Sequence, residues 1–177
     1  MNNDEAIASL KAAIRDVPDF PKKGIVFKDI TTLLKDPVAF RRATDLMVDM
    51  CQGRPADKVV GVESRGFIMG SLMADRLGVG FVPARKPGKL PYRTRQATYA
   101  LEYGTDCIEI HEDAIEKGER VLVVDDVIAT GGTARAVGEL ATSLGGSVVG
   151  FAFLVELTFL NGREKLGGHE VLSLIRY

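Results

Sequence analysis

A single stretch from Val121 to Thr133, Val-Leu-Val-Val-Asp-Asp-Val-Ile-Ala-Thr-Gly-Gly-Thr, narrows the options for this chain more than any other. Its opening aliphatic run has no polar alternation, so it reads as a strand buried on both faces, as in a parallel sheet covered by helices. Asp125 and Asp126 then fall at the carboxyl end of that strand, where open α/β sheets place their ligands. Ala129-Thr130-Gly131-Gly132-Thr133 follows, placing small residues and hydroxyls at the start of a helical pattern. Backbone N–H groups in such a helix start can point at an anion, and the helix dipole favours negative charge there. One loop thus offers acceptors for sugar hydroxyls and a donor-lined cup for phosphate, which suits a phosphorylated ribose. On the residues alone, an Asp N-cap before a glycine-rich turn is the plainer alternative.

The rest of the chain alternates in the same manner. Asp4 to Arg15 spaces Ile7, Leu10 and Ile14 as a short amphipathic helix, and Asp19-Phe20-Pro21 through Gly24 breaks it. Pro37 opens a second helix carrying Phe40, Ala43, Leu46, Met47 and Met50 on one side. Lys58 to Val62, Gly66 to Leu77 and Gly80 to Pro83 then read as strand, helix and strand. Val121 to Val124, Gly132 to Leu144 and Val148 to Leu154 repeat the unit. This rhythm predicts an α/β fold with a parallel sheet and right-handed crossovers. Between Arg85 and Tyr99 it lapses into a basic, proline-containing stretch, and a loop that long in a small domain is usually functional.

At 177 residues the chain suits a single domain, residues 1–177, with enough length to bury a core. A net charge of −1 gives no electrostatic reason to expect a nucleic-acid or membrane partner. Cys51 and Cys107 have no metal-ligand spacing and read as reduced thiols of a cytoplasmic protein. His111-Glu112 is not a zinc-protease motif, because Ile115 occupies the place of the second histidine. No apolar run approaches the roughly 20 residues that span a bilayer.

The Val121–Thr133 segment resembles the 5-phosphoribosyl-1-pyrophosphate (PRPP) signature of the type I phosphoribosyltransferases. The resemblance implies that family's parallel sheet flanked by helices, with a small hood and a flexible loop over the active site. By that likeness Asp125 and Asp126 bind the ribose hydroxyls, and Ala129, Thr130, Gly131, Gly132 and Thr133 hold the 5′-phosphate. Glu63-Ser64-Arg65-Gly66-Phe67 is similar to the pyrophosphate loop, with a cis Glu63-Ser64 bond and Arg65 at pyrophosphate oxygens. Taken alone, Ser64 is equally a helix cap and Arg65 a surface residue.

Further motifs are similar to the adenine-specific branch of the family. Arg85-Lys86-Pro87-Gly88-Lys89 resembles the start of its flexible loop, which runs here from about 85 to 104. Arg85, Lys86 and Lys89 would meet a leaving group that gains negative charge. The family likeness also implies a homodimer in which Arg85 reaches the neighbouring site. Tyr99-Ala100-Leu101-Glu102-Tyr103-Gly104 closes the loop, and Glu102 would be the acid facing purine N7. Phe20-Pro21 through Ile30 resembles the hood, expected near 20–35 and 155–177, and Val155-Glu156-Leu157 and Gly162-Arg163-Glu164-Lys165-Leu166 also follow the adenine-branch pattern. Phe27 would stack on the base while the backbone of Val26 and Lys28 reads its edge. Many relatives carry arginine where Lys28 stands. Without the resemblance, the basic run is a surface loop, Glu102 a solvent-facing strand residue and Phe27 plain core.

The activity implied is transfer of the phosphoribosyl group from PRPP to adenine, giving AMP and pyrophosphate. Mg²⁺ would enter with PRPP, held by substrate oxygens and water rather than by an all-protein cage. Two rivals are a transferase for another base (hypoxanthine/guanine, xanthine or orotate) and a non-catalytic regulator of the same fold that binds PRPP or a nucleotide. A DNA-binding regulator is disfavoured by the near-neutral charge.

Overall fold

The structure, a computed structural model, describes residues 3–100 and 105–177. Two compact units divide within one helix, the first covering Met1–Leu46 and the second Met47–Tyr177.

In the first unit, α1 (Asn3–Ala13) buries Ala6 and Leu10 and carries Asp4 and Glu5 in its first turn, where the dipole favours acids. A two-stranded antiparallel sheet follows, β1 (Arg15–Pro18) with β2 (Val26–Asp29), in the register Arg15↔Asp29 to Pro18↔Val26. The connection between them holds a cis Phe20-Pro21 bond, and Asp19 Oδ1 accepts the Gly24 N–H at 2.7 Å. After the short α2 (Thr31–Leu34), Asp36 caps α3 (Pro37–Met50). Its Oδ1 accepts the Val38 and Ala39 N–H groups at 2.8 and 3.0 Å, while Pro37 occupies the turn position that needs no N–H.

The second unit is built on a five-stranded parallel sheet in the order β4-β3-β7-β8-β9. Its strands are β3 (Lys58–Val62), β4 (Gly80–Ala84), β7 (Arg120–Ile128), β8 (Ser147–Glu156) and β9 (Val171–Arg176). The helices α4 (Gly66–Leu77) and α5 (Gly132–Ser143) make the crossovers after β3 and β7. A second antiparallel hairpin, β5 (Thr94–Ala100) with β6 (Thr105–His111), lies between β4 and β7 in the chain. Val60, Val62, Val121, Val123, Val137, Phe151 and Phe153 belong to one buried cluster, in which β-branched and aromatic side chains fill the space between sheet and helices.

Three elements depart from the expected pattern. β7 continues through both aspartates to Ile128, because β8 goes on pairing with it at Asp125↔Phe153 and Ile128↔Glu156. The β1–β2 hairpin stands where an irregular stretch was expected. Part of the long basic loop, Thr94–Ala100, forms β5, and its Ala97 and Tyr99 belong to the buried cluster or pack on it. The loop reading holds for Arg85 to Arg93, where only the bridge between Arg85 and Glu109 interrupts it.

Candidate active site

The site is made by a difference in strand length. β3 pairs with β7 only as far as Gly61↔Val124, whereas β8 accompanies β7 to Ile128. One side of β7 therefore loses its neighbour at Asp125, at the carboxyl edge where the chain of β3 turns into α4. Asp125 and Asp126 stand beside that opening, and the Asp126 N–H donates to Asp125 Oδ1 at 2.8 Å. Arg65 Nε donates to Asp126 Oδ2 at 2.5 Å, giving the nearly buried Asp126 a counter-charge from the start of α4. Withdrawal from water pushes the Asp125 carboxyl well above the usual range, the Asp126 carboxylate adds to that rise, and Arg65 works against it. Two adjacent acids with one arginine form a strong acceptor site for hydroxyl groups.

The phosphate cup lies immediately downstream. Gly131 has φ +78° and precedes α5 with no side chain capping the helix, so the amides of the first turn are left to an anion. The loop is supported from behind by main chain. A Cβ on Gly131 would lie 2.2 Å from the Gly162 carbonyl oxygen, and one on Gly162 would lie 2.2 Å from that of Ala129. Gly162 belongs to a 3₁₀ turn, Gly162–Leu166, that is tied down by its neighbour. Arg163 makes a two-pronged contact of 2.9 and 2.7 Å with the buried Glu156 at the end of β8. Arg163 and then Arg176 hold the Glu156 carboxyl below the usual range although burial opposes them.

Opposite the acids, Glu63 gathers the basic loop. The Glu63-Ser64 bond is cis. Its carboxylate accepts from the Lys86 N–H at 2.9 Å, from Lys89 Nζ at 2.5 Å and from Arg85 Nε at 3.3 Å. Burial alone would raise the Glu63 carboxyl, but these donors outweigh it and bring it down to about 2. Lys86 turns its ammonium instead onto Asp106 and onto the Tyr99 hydroxyl at 3.3 Å. Arg65, Arg85 and Lys89 are thus gathered where β3 turns into α4, Arg65 paired with Asp126 and the other two with Glu63.

The phosphoribosyl transferase domain family matches residues 29–167. The adenine phosphoribosyltransferase of Thermotoga neapolitana is 60% identical over 168 residues, covering 95% of this chain and 99% of its own. This chain belongs to the adenine phosphoribosyltransferase family. That of Geobacter metallireducens is also 60% identical, over 95% of this chain and 98% of its own. The crystal structure of the family member from Thermoanaerobacter pseudethanolicus superposes with a TM-score of 0.95 at 53% identity, covering 97% of this chain and 99% of that one. The Saccharomyces cerevisiae member, complexed with an imino-altritol bisphosphate and adenine, gives 0.91 at 42% identity over 97% and 99% of the two chains.

Measured against the family's expected site, the second unit brings together Glu63, Arg65, Arg85, Lys89, Asp125 and Asp126, with residues 129–133 following β7. Lys86 joins them through its main chain and leaves through its side chain. Ser64 is exposed and does not cap α4, whose first residue is preceded by Arg65 in helical conformation. Glu102 lies outside the described residues. In the first unit Phe27 is half-buried rather than core, with the Phe20 ring edge-on at 5.2 Å, and Lys28 is paired with Asp16 at 2.6 Å. Glu156, Gly162 and Arg163 stood out in the sequence only as part of the adenine-branch pattern, with no role attached, and the structure sets them behind the phosphate loop. A carboxylate at the end of the long apolar run of β8 was a further signal of that role, since such a group needs a buried cation.

Gly66 supplies a direct check on the acid pair. A Cβ there would lie 2.6 Å from Asp125 Oδ1 and 3.1 Å from both Asp125 Cα and the Val124 carbonyl oxygen. Gly66→Ala is therefore expected to displace the Asp125 carboxyl and lower kcat/KM for PRPP by roughly tenfold, since sub-ångström misplacement is felt strongly in a preorganised site. Parent-like kinetics in this variant would show that the acid has room to move.

Proposed function

We propose that the chain transfers the 5-phosphoribosyl group of PRPP to N9 of adenine, forming AMP and releasing pyrophosphate, as a step of purine salvage. The observation that carries this reading is the acid pair at the open edge of β7, one turn of chain before an uncapped helix start. The proposed carboxylates for ribose hydroxyls, at the end of β7, and the proposed amides for a 5′-phosphate, at the start of α5, follow one another along the chain, in a sequence 60% identical to an adenine phosphoribosyltransferase.

In this reading Asp125 and Asp126 orient the ribose, and Thr130, Thr133 and the amides of Ala129, Gly131 and Gly132 hold the phosphate. Glu63, Ser64 and Arg65 line the pyrophosphate side, where Arg85, Lys86 and Lys89 neutralise charge as the C1–O bond breaks and the N9–C1 bond forms. Phe27 stacks on adenine, the backbone of Val26 and Lys28 reads its edge, and Glu102 manages the proton at N7. Among the described residues no three His, Cys, Asp or Glu side chains gather as a metal site. Two carboxylates beside a diphosphate fit a hard cation that prefers oxygen and keeps its waters, so Mg²⁺ is assigned to PRPP, where it offsets charge on the leaving group. Arg85 extends to the site of a second copy in a homodimer. Among the described residues no helix is long and apolar enough to cross a membrane, and the reading places the enzyme in the cytoplasm.

The test is AMP formation from labelled adenine with PRPP and Mg²⁺, with hypoxanthine and guanine in parallel. Adenine is expected to give nucleotide and pyrophosphate in equal amounts. Product from none of the bases would favour a non-catalytic regulator, and product from an oxopurine alone would reassign the branch.

A further inference from the structure

The main chain and side chain of Lys86 point to different partners. Its N–H donates to Glu63 at the pyrophosphate loop, at 2.9 Å. Its ammonium is on the β5–β6 hairpin, paired with Asp106, 3.3 Å from the Tyr99 hydroxyl and 5.8 Å from the centre of the Tyr99 ring. The backbone around it is fixed. Arg85 and Glu109 exchange two main-chain bonds of 2.9 and 2.7 Å, and the Gly88 N–H donates to Glu109 Oε2 at 3.2 Å. Lysine is a point charge on a flexible four-carbon stem, so its head can change partners while such a backbone stays where it is.

Asp106 is built to lose this partner without being stranded. Its Oδ1 accepts the Cys107 N–H at 2.8 Å and its Oδ2 accepts the Tyr99 hydroxyl at 3.2 Å. Both bonds survive departure of the ammonium. A buried carboxylate left with no donor would resist the exchange, whereas a half-buried one with two donors does not. We propose that Asp106 is a positioning residue that stores Lys86 on the hairpin in the ligand-free enzyme and yields it to pyrophosphate oxygens when PRPP or pyrophosphate binds. The inference rests on the placement of Lys86 among the pyrophosphate ligands in the proposed function. Asp106 touches no substrate in this scheme. It sets how much of the attraction between Lys86 and pyrophosphate is spent on breaking an internal pair.

Inhibition of AMP synthesis by added pyrophosphate reads this directly. Asp106→Asn removes the charge but keeps an oxygen for the Cys107 N–H and places an amide NH2 that can donate to the Tyr99 hydroxyl oxygen, so it is expected to lower the inhibition constant of pyrophosphate about three- to tenfold, the scale of a partly exposed ion pair. Lys86→Met is expected to raise that constant, and in its background Asp106→Asn should then change nothing. A merely structural Asp106 would shift the melting temperature and leave this constant alone. If Lys86→Met weakens pyrophosphate while Asp106→Asn leaves it unchanged or weakens it, storage is refuted and the site assignment stands. If Lys86→Met has no effect on pyrophosphate, the assignment of Lys86 fails and the inference fails with it.

Discussion

Hypoxanthine is expected to be used with a kcat/KM about 10⁴-fold below that of adenine, the scale at which a site built around one hydrogen-bonding pattern rejects another. Ala129 stands directly after β7, which ends at Ile128. A methyl group neither accepts a hydrogen bond nor transfers a proton, so this chain must read its base from elsewhere. The main chain of Val26 and Lys28, in β2, is the proposed reader. In that proposal main-chain donors and acceptors pair with an exocyclic amine and the ring nitrogen beside it. A 6-oxo base reverses both, leaving groups on enzyme and base unpaired out of water. The Lys28 side chain does not decide the matter, because its ammonium is taken by Asp16. Initial rates with each base at saturating PRPP give the ratio, and comparable values would remove the adenine assignment while leaving the PRPP site untouched.

The parallel sheet was legible because each of its central strands carries its own signal. Lys58–Val62 and Gly66–Leu77 match the expected bounds, since a short valine-rich run and a glycine-bounded helical stretch need no distant partner to be recognised. The hairpins lacked such a signal. β1 holds four largely exposed residues with a proline, and β5 alternates threonine and glutamine with arginine, alanine and tyrosine, a weak two-sided pattern. Their pairing depends on strands ten or so residues away, which local reading does not weigh. The end of β7 lies beyond its expected bound for a related reason. Carboxylates are poor strand formers, yet β8 carries an apolar run long enough to hold Asp125 and Asp126 in the ladder. Site residues that touch substrate were visible as a motif. Gly162, Glu156 and Arg163 were visible only as part of a family pattern, and their role in holding the motif in place was not, because it exists only once residues some thirty positions apart are in contact.

Gly162→Ala is expected to lower kcat/KM for PRPP by about 10²-fold, the cost of misplacing a preorganised site by about an ångström. The added methyl would stand 2.2 Å from the Ala129 carbonyl oxygen, and no flexible side chain is available to yield. One of two stretches of main chain must move. The 3₁₀ turn is held by Arg163, which is clamped to buried Glu156 and donates to the Val171 carbonyl at 3.2 Å. The phosphate loop has a left-handed residue at Gly131 and no such clamp, so it is the part expected to give way. Gly131→Ala makes the reciprocal collision and adds the cost of a side chain at φ +78°, roughly 1–2 kcal/mol. Two comparisons separate these causes. Gly162 is not in the left-handed region, so its variant reports collision alone. Gly78, at φ +68° with nothing within 4 Å of an added Cβ, reports the backbone cost alone. Gly78→Ala should therefore lower the melting temperature and keep parent-like kinetics with PRPP. If Gly162→Ala stays within about threefold of the parent enzyme, the phosphate loop absorbs a methyl group, and its geometry is set by its own sequence rather than by the turn behind it.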